Sequence, residues 1–215
     1  MKLNAKLDRL GTETAFAVSA QAKAWADKGN KVYSFHLGDI NLPTPGNIRE
    51  ATNRFMNDSK NGYCASEGIP ELRLALAHDV GSRRGVEYAL DNVVIQPGGK
   101  PTIWKFLATV MNEGDEVLYP NPGYPIYESQ IEYQGGVLVP YSYDETDTGF
   151  AIDMDKLSDS ITDKTTVMIY NNYQNPMSAS SSLEEMQSLA ALAIEHDLWV
   201  LSDDAYFEIR YTDEP

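Results

Sequence analysis

The sequence contains very little cysteine and no long apolar run. Cys64 is its one cysteine, so no internal disulfide can form and a reducing compartment is expected. The segment 1–10 alternates charged residues with Leu and lacks the apolar stretch of a signal peptide. No run approaches the roughly 18 apolar residues that a membrane helix needs. We therefore expect a soluble, cytoplasmic protein without membrane contact.

Basic residues are also scarce. The 17 Lys and Arg residues are outnumbered by 32 Asp and Glu residues, which gives a formal net charge of −15 at pH 7. Because nucleic-acid phosphates bind clustered Lys and Arg side chains, we expect no nucleic-acid partner. The three histidines (His36, His78 and His196) show no metal-ligand spacing, so no metal site is expected.

The second half of the chain alternates short apolar runs with helical patterns. Strands are predicted at 93–95, 116–119, 137–139, 166–170 and 198–201, and helices lie between them at 101–111, 125–133, 153–160 and 182–196. This alternation predicts an α/β fold with a mostly parallel sheet and helices on both faces. Residues 1–45 lie outside it and are predicted to form an N-terminal arm and part of a small domain. Residues 46–215 are predicted to form the N-terminal part of a large domain.

Clusters of ligand-type residues follow four of the predicted strands. They are Gly98-Gly99-Lys100, Asn121-Pro122-Gly123-Tyr124, the segment 171–176 and Ser202-Asp203-Asp204-Ala205-Tyr206. The carboxyl ends of parallel strands face one edge of the sheet, where ligands bind. Together the clusters supply an anion cradle, an aromatic ring, amides and a carboxylate. This combination favours a flat, phosphorylated, nitrogen-containing ring as the ligand.

Each cluster also has a plain structural interpretation. The Gly98-Gly99 pair allows a close approach of an anion to a helix N-terminus, but it also suits an ordinary turn. Tyr124 can stack on a flat ligand or pack in the core. Asn171 and Asn172 suit turn capping, which explains Asn175 less well.

Asp203 has three interpretations. It follows a buried strand, where a carboxylate is costly unless it is paired, so it can hold a cationic ring nitrogen. It can also cap a helix or bind a metal. Tyr206, three residues later, can offer its hydroxyl to the same ligand.

In this order the segments resemble the fold-type I pyridoxal-phosphate enzymes, and specifically the class I/II aminotransferases related to aspartate aminotransferase. The resemblance covers nearly the whole chain. Besides the four clusters it rests on Leu37-Gly38-Asp39 with Thr44-Pro45, on Tyr63, on the segment 68–73 and on the segment 113–117. It implies a large pyridoxal-phosphate-binding domain, amino acid and 2-oxo acid substrates, and a homodimer.

The resemblance also implies a role for each site residue. Asp203 would pair with the pyridine nitrogen, Asn175 and Tyr206 would bind the phenolic oxygen, and Tyr124 would stack on the ring. The backbone N–H groups of Gly99 and Lys100 would bind the phosphate. Tyr63 would reach the phosphate of a neighbouring subunit, and Gly38 would lie near the substrate carboxylate.

The chain departs from the family pattern in two places. It has Asn175-Pro176-Met177-Ser178 where members usually have Asn-Pro-Thr-Gly. None of its lysines follows the Ser-x-Ser-Lys type of segment that carries the Schiff-base lysine. We therefore expect no catalytic lysine in this chain, a fold that is incomplete at its C-terminus, and little activity without a complementing C-terminal segment.

Two other readings stay open. One is a non-catalytic or split-partner binding module with the same fold. The other is a different pyridoxal-phosphate reaction, such as that of a carbon–sulfur lyase or a decarboxylase. Asp39-Ile40-Asn41 is predicted to affect side-chain selectivity in any such enzyme.

Overall fold

The structure, a computed structural model, describes residues 2–11, 14–38, 42–58, 61–147 and 149–209. These residues form two compact units. The sheet unit consists of the described parts of 1–13 and 98–215, and the helical unit of those of 14–97. The predicted division at residue 45 concerns the domains of the whole family fold, and it stays a prediction.

Helices and strands alternate in the sheet unit, whereas the helical unit contains helices only among its described elements. The helices are α1 (Thr14–Ala26), α2 (Gly46–Asn57), α3 (Pro70–Arg84), α4 (Gly99–Val110), α5 (Pro125–Gln134), α6 (Met154–Asp159) and α7 (Leu183–Glu195). The strands are β1 (Glu116–Pro120), β2 (Val137–Tyr141), β3 (Tyr143–Thr146), β4 (Gly149–Ile152), β5 (Thr165–Asn171) and β6 (Trp199–Asp203). No helix among the described residues is long and apolar enough to cross a membrane.

The helix starts follow from the local sequence. Pro125 occupies the first turn of α5, where its missing N–H costs no hydrogen bond. The side chains of Asp153 and Ser182 cap α6 and α7 by accepting the backbone N–H groups of Lys156 and Glu185. These caps set where each helix leaves the loop before it.

Four strands form a parallel sheet in the order β2-β1-β5-β6. Their carboxyl ends therefore meet at one edge of the sheet. At this edge Asn171, the last residue of β5, is paired in register with Asp203, the last residue of β6. The predicted parallel sheet is confirmed, and its register determines which loops are neighbours.

Helices cover both faces of the sheet, as predicted. Successive strand residues point to opposite faces, so Val117 and Leu118 enter different cores. On one face the strands pack against α4 and α5 through Ile103, Leu107, Tyr127 and Ile131. On the other face they pack against α6 and α7 through Leu157, Leu189 and Ala193.

The prediction of a strand at 93–95 is wrong. Val93 has extended dihedral angles, but its N–H donates to the carbonyl of Leu90 and its own carbonyl accepts from Arg73 Nε at 2.7 Å. The N–H of Ile95 donates to the carbonyl of Glu67 at 2.8 Å. These bonds use the backbone groups that a strand ladder would require, so the segment before Gly98 is extended without being part of a described sheet.

Two further elements differ from the sequence-based expectation. The short apolar run 32–37 has a strand-like sequence pattern, but it is irregular in the structure. Conversely, β3 and β4 form an antiparallel hairpin that begins in the polar stretch 142–149 and ends at Ile152, where the sequence predicts no strand. A two-stranded hairpin with few buried side chains gives only a weak hydrophobic pattern, which explains why it was missed.

Candidate functional site

Four of the predicted ring-binding residues lie at the carboxyl edge of the sheet. We call the segments after β1, β5 and β6 the β1 loop (121–124), the β5 loop (172–178) and the β6 loop (204–206). Tyr124, Asn175 and Tyr206 lie in these three loops, and Asp203 ends β6. Because β1, β5 and β6 are adjacent strands, the structure brings the four residues to one edge. Their roles toward a cofactor stay predictions.

Asp203 is a half-buried carboxylate with defined partners. Its Oδ2 accepts the hydroxyl proton of Tyr127 at 2.6 Å, and its Oδ1 accepts the N–H of Ala205 at 3.2 Å. The second bond is a local turn contact, and the described residues 204–209 form no helix, so the helix-capping interpretation is wrong for this part of the chain. A carboxylate has about four acceptor positions, which leaves capacity for a donor from a ligand.

Sequence reasoning missed Tyr127. Its side chain is fully buried, and burial is the largest cause that raises its pKa, followed by the hydrogen bond to Asp203 and the charge of that carboxylate. The phenol therefore stays protonated and donates to Asp203. The available signal was its spacing, because Tyr127 lies three residues after Tyr124 and so on the same side of α5.

Tyr124 is the residue that leads into α5. Its ring meets that of Tyr127 edge to face, with centroids 5.6 Å apart and planes at 88°. The turn before it requires glycine, since a Cβ on Gly123 would lie 2.1 Å from the carbonyl oxygen of Pro120. The Asn-Pro-Gly sequence thus sets where the half-buried ring of Tyr124 stands at the sheet edge.

Asn175 and Tyr206 are in direct contact. Asn175 Nδ2 donates to the Tyr206 hydroxyl at 3.2 Å. Asn171 and Asn172 serve the backbone instead: Asn171 Oδ1 accepts the N–H of Asn175 at 2.8 Å, and Asn172 Oδ1 accepts that of Ser181 at 3.2 Å. Turn capping therefore accounts for the bond from Asn175 N–H to Asn171 Oδ1, whereas the Asn175 side chain meets a hydroxyl at the sheet edge.

The predicted phosphate cradle begins α4. Gly98 precedes the helix with φ 106°, a backbone conformation that L side chains rarely adopt. The first N–H groups of a helix point toward an anion bound at its N-terminus, and the exposed residues Gly99 and Lys100 occupy this position at the start of α4. The Lys100 carbonyl accepts Gln130 Nε2 at 3.2 Å, which links this turn to α5.

Tyr63 and Gly38 belong to the helical unit. Both are exposed, and the side chain of Tyr63 is fully so. Their predicted contacts with a phosphate and a substrate carboxylate are not tested by these positions and stay predictions. Asp39, Ile40 and Asn41, which we expect to affect selectivity, lie outside the described residues. Across the part of the chain that is described, no three His, Cys, Asp or Glu side chains form a metal-binding group.

Ser178 adopts an unfavourable backbone conformation in the turn of the β5 loop. Its φ is 57°, in the left-handed region, and its N–H donates to the carbonyl of Gln174 at 2.8 Å. The left-handed conformation costs an L-residue about 1–2 kcal/mol, whereas glycine loses about 0.5–1 kcal/mol of backbone entropy. We expect Ser178→Gly to raise the free energy of unfolding by about 0.5–1 kcal/mol in urea denaturation.

Ser180→Gly is the matched control for this prediction. Ser180 is an exposed serine in the same segment without a positive φ. Glycine there gains no relief of strain and adds freedom to the unfolded chain, so stability should stay equal or fall. A stabilisation of the same size in both variants would contradict the strain at Ser178.

The matching family model and two similar relatives indicate the same protein family. The aminotransferase class I and II family matches residues 30–214. A probable aspartate/prephenate aminotransferase of Aquifex aeolicus is 31% identical over 211 residues, which are 98% of this chain and 53% of that protein. An aspartate aminotransferase of Streptomyces avermitilis is 32% identical over 213 residues, which are 99% and 52% of the two chains.

Solved structures agree with the sequence comparison. The aspartate aminotransferase of Thermus thermophilus with maleate superposes with a TM-score of 0.92 at 28% identity, covering 100% of this chain and 56% of that one. The chain spans about half the length of these relatives. The family match and the shared fold extend over nearly all of its residues, and the chain belongs to the class I and II aminotransferases.

Proposed function

We propose that this chain supplies the pyridoxal-phosphate site of an aminotransferase that moves an amino group between an amino acid and a 2-oxo acid. The observation that carries the proposal is the Asp203 carboxylate. It ends β6, is held by the buried Tyr127 and lies at the same sheet edge as the Asn175–Tyr206 pair. Membership of the class I and II family supports the same chemistry.

The residues at the sheet edge fit a ring of this kind. The cofactor offers a protonated ring nitrogen, a phenolic oxygen and a dianionic phosphate. Asp203 is an acceptor for the nitrogen, and the Asn175 amide and Tyr206 hydroxyl can meet the oxygen. Tyr124 offers a ring face, and the N–H groups of Gly99 and Lys100 suit the phosphate. When bound, the cofactor supplies an electron sink for reactions at the amino acid Cα.

The protein's own contribution is to hold these groups in place before the cofactor binds. Tyr127 keeps one oxygen of Asp203 hydrogen-bonded and stays protonated because of its burial. Asp203 is thereby fixed as an acceptor and does not need to reorganise when a ring nitrogen arrives. Such preorganisation lowers the cost of binding.

Further parts of the site are proposed to come from other chain segments. Tyr63 would reach the phosphate of a second subunit in a homodimer, and Gly38 would lie near the substrate carboxylate. The lysine that bonds the cofactor would come from the segment that follows the matched region in the longer relatives, whether joined to this chain or supplied as a partner.

Cofactor binding is tested with pyridoxamine 5′-phosphate, which carries an amine and needs no lysine. We expect saturable binding to the 215-residue chain, followed by cofactor fluorescence, and at least tenfold weaker binding of pyridoxamine, which lacks the phosphate. Absence of saturable binding at millimolar ligand would overturn the proposed site.

Amino transfer is tested with the C-terminal part present. The chain is co-expressed with the segment that follows the matched region in one of the longer relatives. The formation of 2-oxo acid from aspartate and other amino acids is then measured with 2-oxoglutarate as acceptor. Transfer that requires both segments supports the proposal. Cofactor binding without transfer in any such combination would favour a non-catalytic binding module.

A further inference from the structure

We infer that Asn171 and Gln174 are positioning residues that set the spacing between the loops of the candidate site. Their buried amides connect the β5 loop to the β1 loop on one side and to β6 on the other. Neither needs to contact a ligand, and each acts through a neighbour. The identity of the ligand rests on the proposed function, whereas the connection between the loops does not.

Asn171 connects the β5 loop to β6. Its side chain is 2% exposed, and its Nδ2 donates to the backbone carbonyl of Asp203 at 2.8 Å. Its Oδ1 accepts the N–H of Asn175 at 2.8 Å. One amide thus fixes the residue predicted to meet the phenolic oxygen relative to the residue predicted to meet the ring nitrogen.

Gln174 makes the corresponding connection to the β1 loop. It is 3% exposed, its Nε2 donates to the carbonyl of Pro122 at 2.6 Å, and its Oε1 accepts the N–H of Met177 at 2.8 Å. Pro122 lies two residues before Tyr124. The position of the stacking ring is therefore tied to the β5 loop through this one amide.

The two amides have the same design. Each donates across to a neighbouring loop or strand end and accepts a backbone N–H within the β5 loop. Burying an amide is unfavourable unless both of its ends are paired, and here both ends are. An apolar side chain would fill the same space but would leave Pro122 and Asp203 without these donors, so the connection requires an amide.

Replacement by the isosteric acid separates the donor function of each amide from its acceptor function. Asn171→Asp and Gln174→Glu keep the acceptor for the β5 loop and remove the donor to the neighbouring segment. We expect the N–H groups of Asn175 and Met177 to remain protected from hydrogen exchange. We expect pyridoxamine 5′-phosphate to bind about tenfold more weakly to each variant, the loss that one hydrogen bond of ~1.4 kcal/mol represents.

A pH profile distinguishes this role from general stability. A protonated carboxyl can donate a hydrogen bond, and burial favours the protonated form. The ratio of the variant's Kd to the wild-type Kd should therefore fall toward one as the pH is lowered from 8 to 5, since the new carboxyl regains the donor. Gln174→Met, which has no donor at any pH, should show a constant ratio.

Gln187→Met is the matched control. Gln187 is an exposed glutamine on α7, and its replacement should leave the Kd within about twofold of wild type. If Asn171→Asp and Gln174→Glu bind pyridoxamine 5′-phosphate with the wild-type Kd, the inference is overturned. A ratio that does not depend on pH in the two acid variants would do the same.

A second readout keeps the inference testable if the wild-type chain does not bind the probe, in which case the proposed function fails by itself. The nuclear Overhauser contact between the Asn175 side-chain amide and the Tyr206 ring should weaken in Asn171→Asp. Retention of that contact at full strength would show that Asn171 does not set the spacing.

If an acid variant fails to fold at pH 8, the same measurements are made at pH 5. Retained binding and contact at pH 5 support the positioning role, and their loss contradicts it.

Discussion

Asp203→Asn is expected to weaken the binding of pyridoxamine 5′-phosphate by roughly 10- to 100-fold. The substitution preserves shape but removes the negative charge that would meet a protonated ring nitrogen. A hydrogen bond to a charged group contributes about 1.5–3 kcal/mol, which corresponds to that range of affinity. The bond from Tyr127 to Asp203 at 2.6 Å fixes the carboxylate for this contact. Titrations of wild type and variant at one pH and ionic strength measure the ratio.

The adjacent carboxylate provides the control for the charge itself. Asp204 is half-buried like Asp203, and its Oδ1 accepts the hydroxyl proton of Ser202 at 2.8 Å. Asp204→Asn changes the net charge by the same amount one residue away, and we expect the Kd to stay within about threefold of wild type, because an exchange of charge without a direct hydrogen bond to the ring costs about 0.2–1 kcal/mol at most. Equal losses in both variants would indicate a general electrostatic effect and would remove Asp203 from its assigned position.

The arrangement of the sheet could be read from the sequence because its two central strands, β1 and β5, are buried on both faces. The short apolar runs that became β1 and β5 allow few alternatives, and their alternation with helices implies parallel pairing. The same reasoning failed for the segment 93–95. Its composition is that of a strand, but Arg73 and Leu90 bond to Val93, and a hydrophobic pattern carries no information about such bonds.

The sequence predicts which loops carry the candidate site, but it predicts few of the side-chain contacts between them. Asp203 and Asn175 were selected because they follow predicted strands, and the carboxyl ends of parallel strands are where ligands bind. Tyr127 was missed because a tyrosine within a helix has the pattern of a core residue, and its hydroxyl partner lies 76 positions away. Gln174 was likewise hidden, since nothing in the sequence indicates that its amide reaches Pro122.

Arg73→Met is expected to lower the free energy of unfolding by roughly 2–5 kcal/mol. The side chain is 6% exposed in the helical unit, where Nε and Nη2 donate to the carbonyls of Val93 and Leu90 at 2.7 and 2.9 Å. Methionine fills similar space without a donor, and each carbonyl left unsatisfied costs about 1–3 kcal/mol. The ion pairs with Glu67 and Asp91 add little, because both carboxylates are substantially exposed. Urea denaturation followed by circular dichroism measures the loss.

Arg83→Met on the same helix separates this role from the loss of a positive charge. Arg83 is more exposed and forms an ion pair with Asp79 one turn earlier, so its replacement should cost about 0.2–1 kcal/mol. Hydrogen exchange locates the effect: the Ile95 N–H, which donates to the Glu67 carbonyl, should lose protection in Arg73→Met and keep it in Arg83→Met. Similar losses in both variants, or an unchanged Ile95, would contradict the role of Arg73 as the buried donor that holds the segment leading to Gly98.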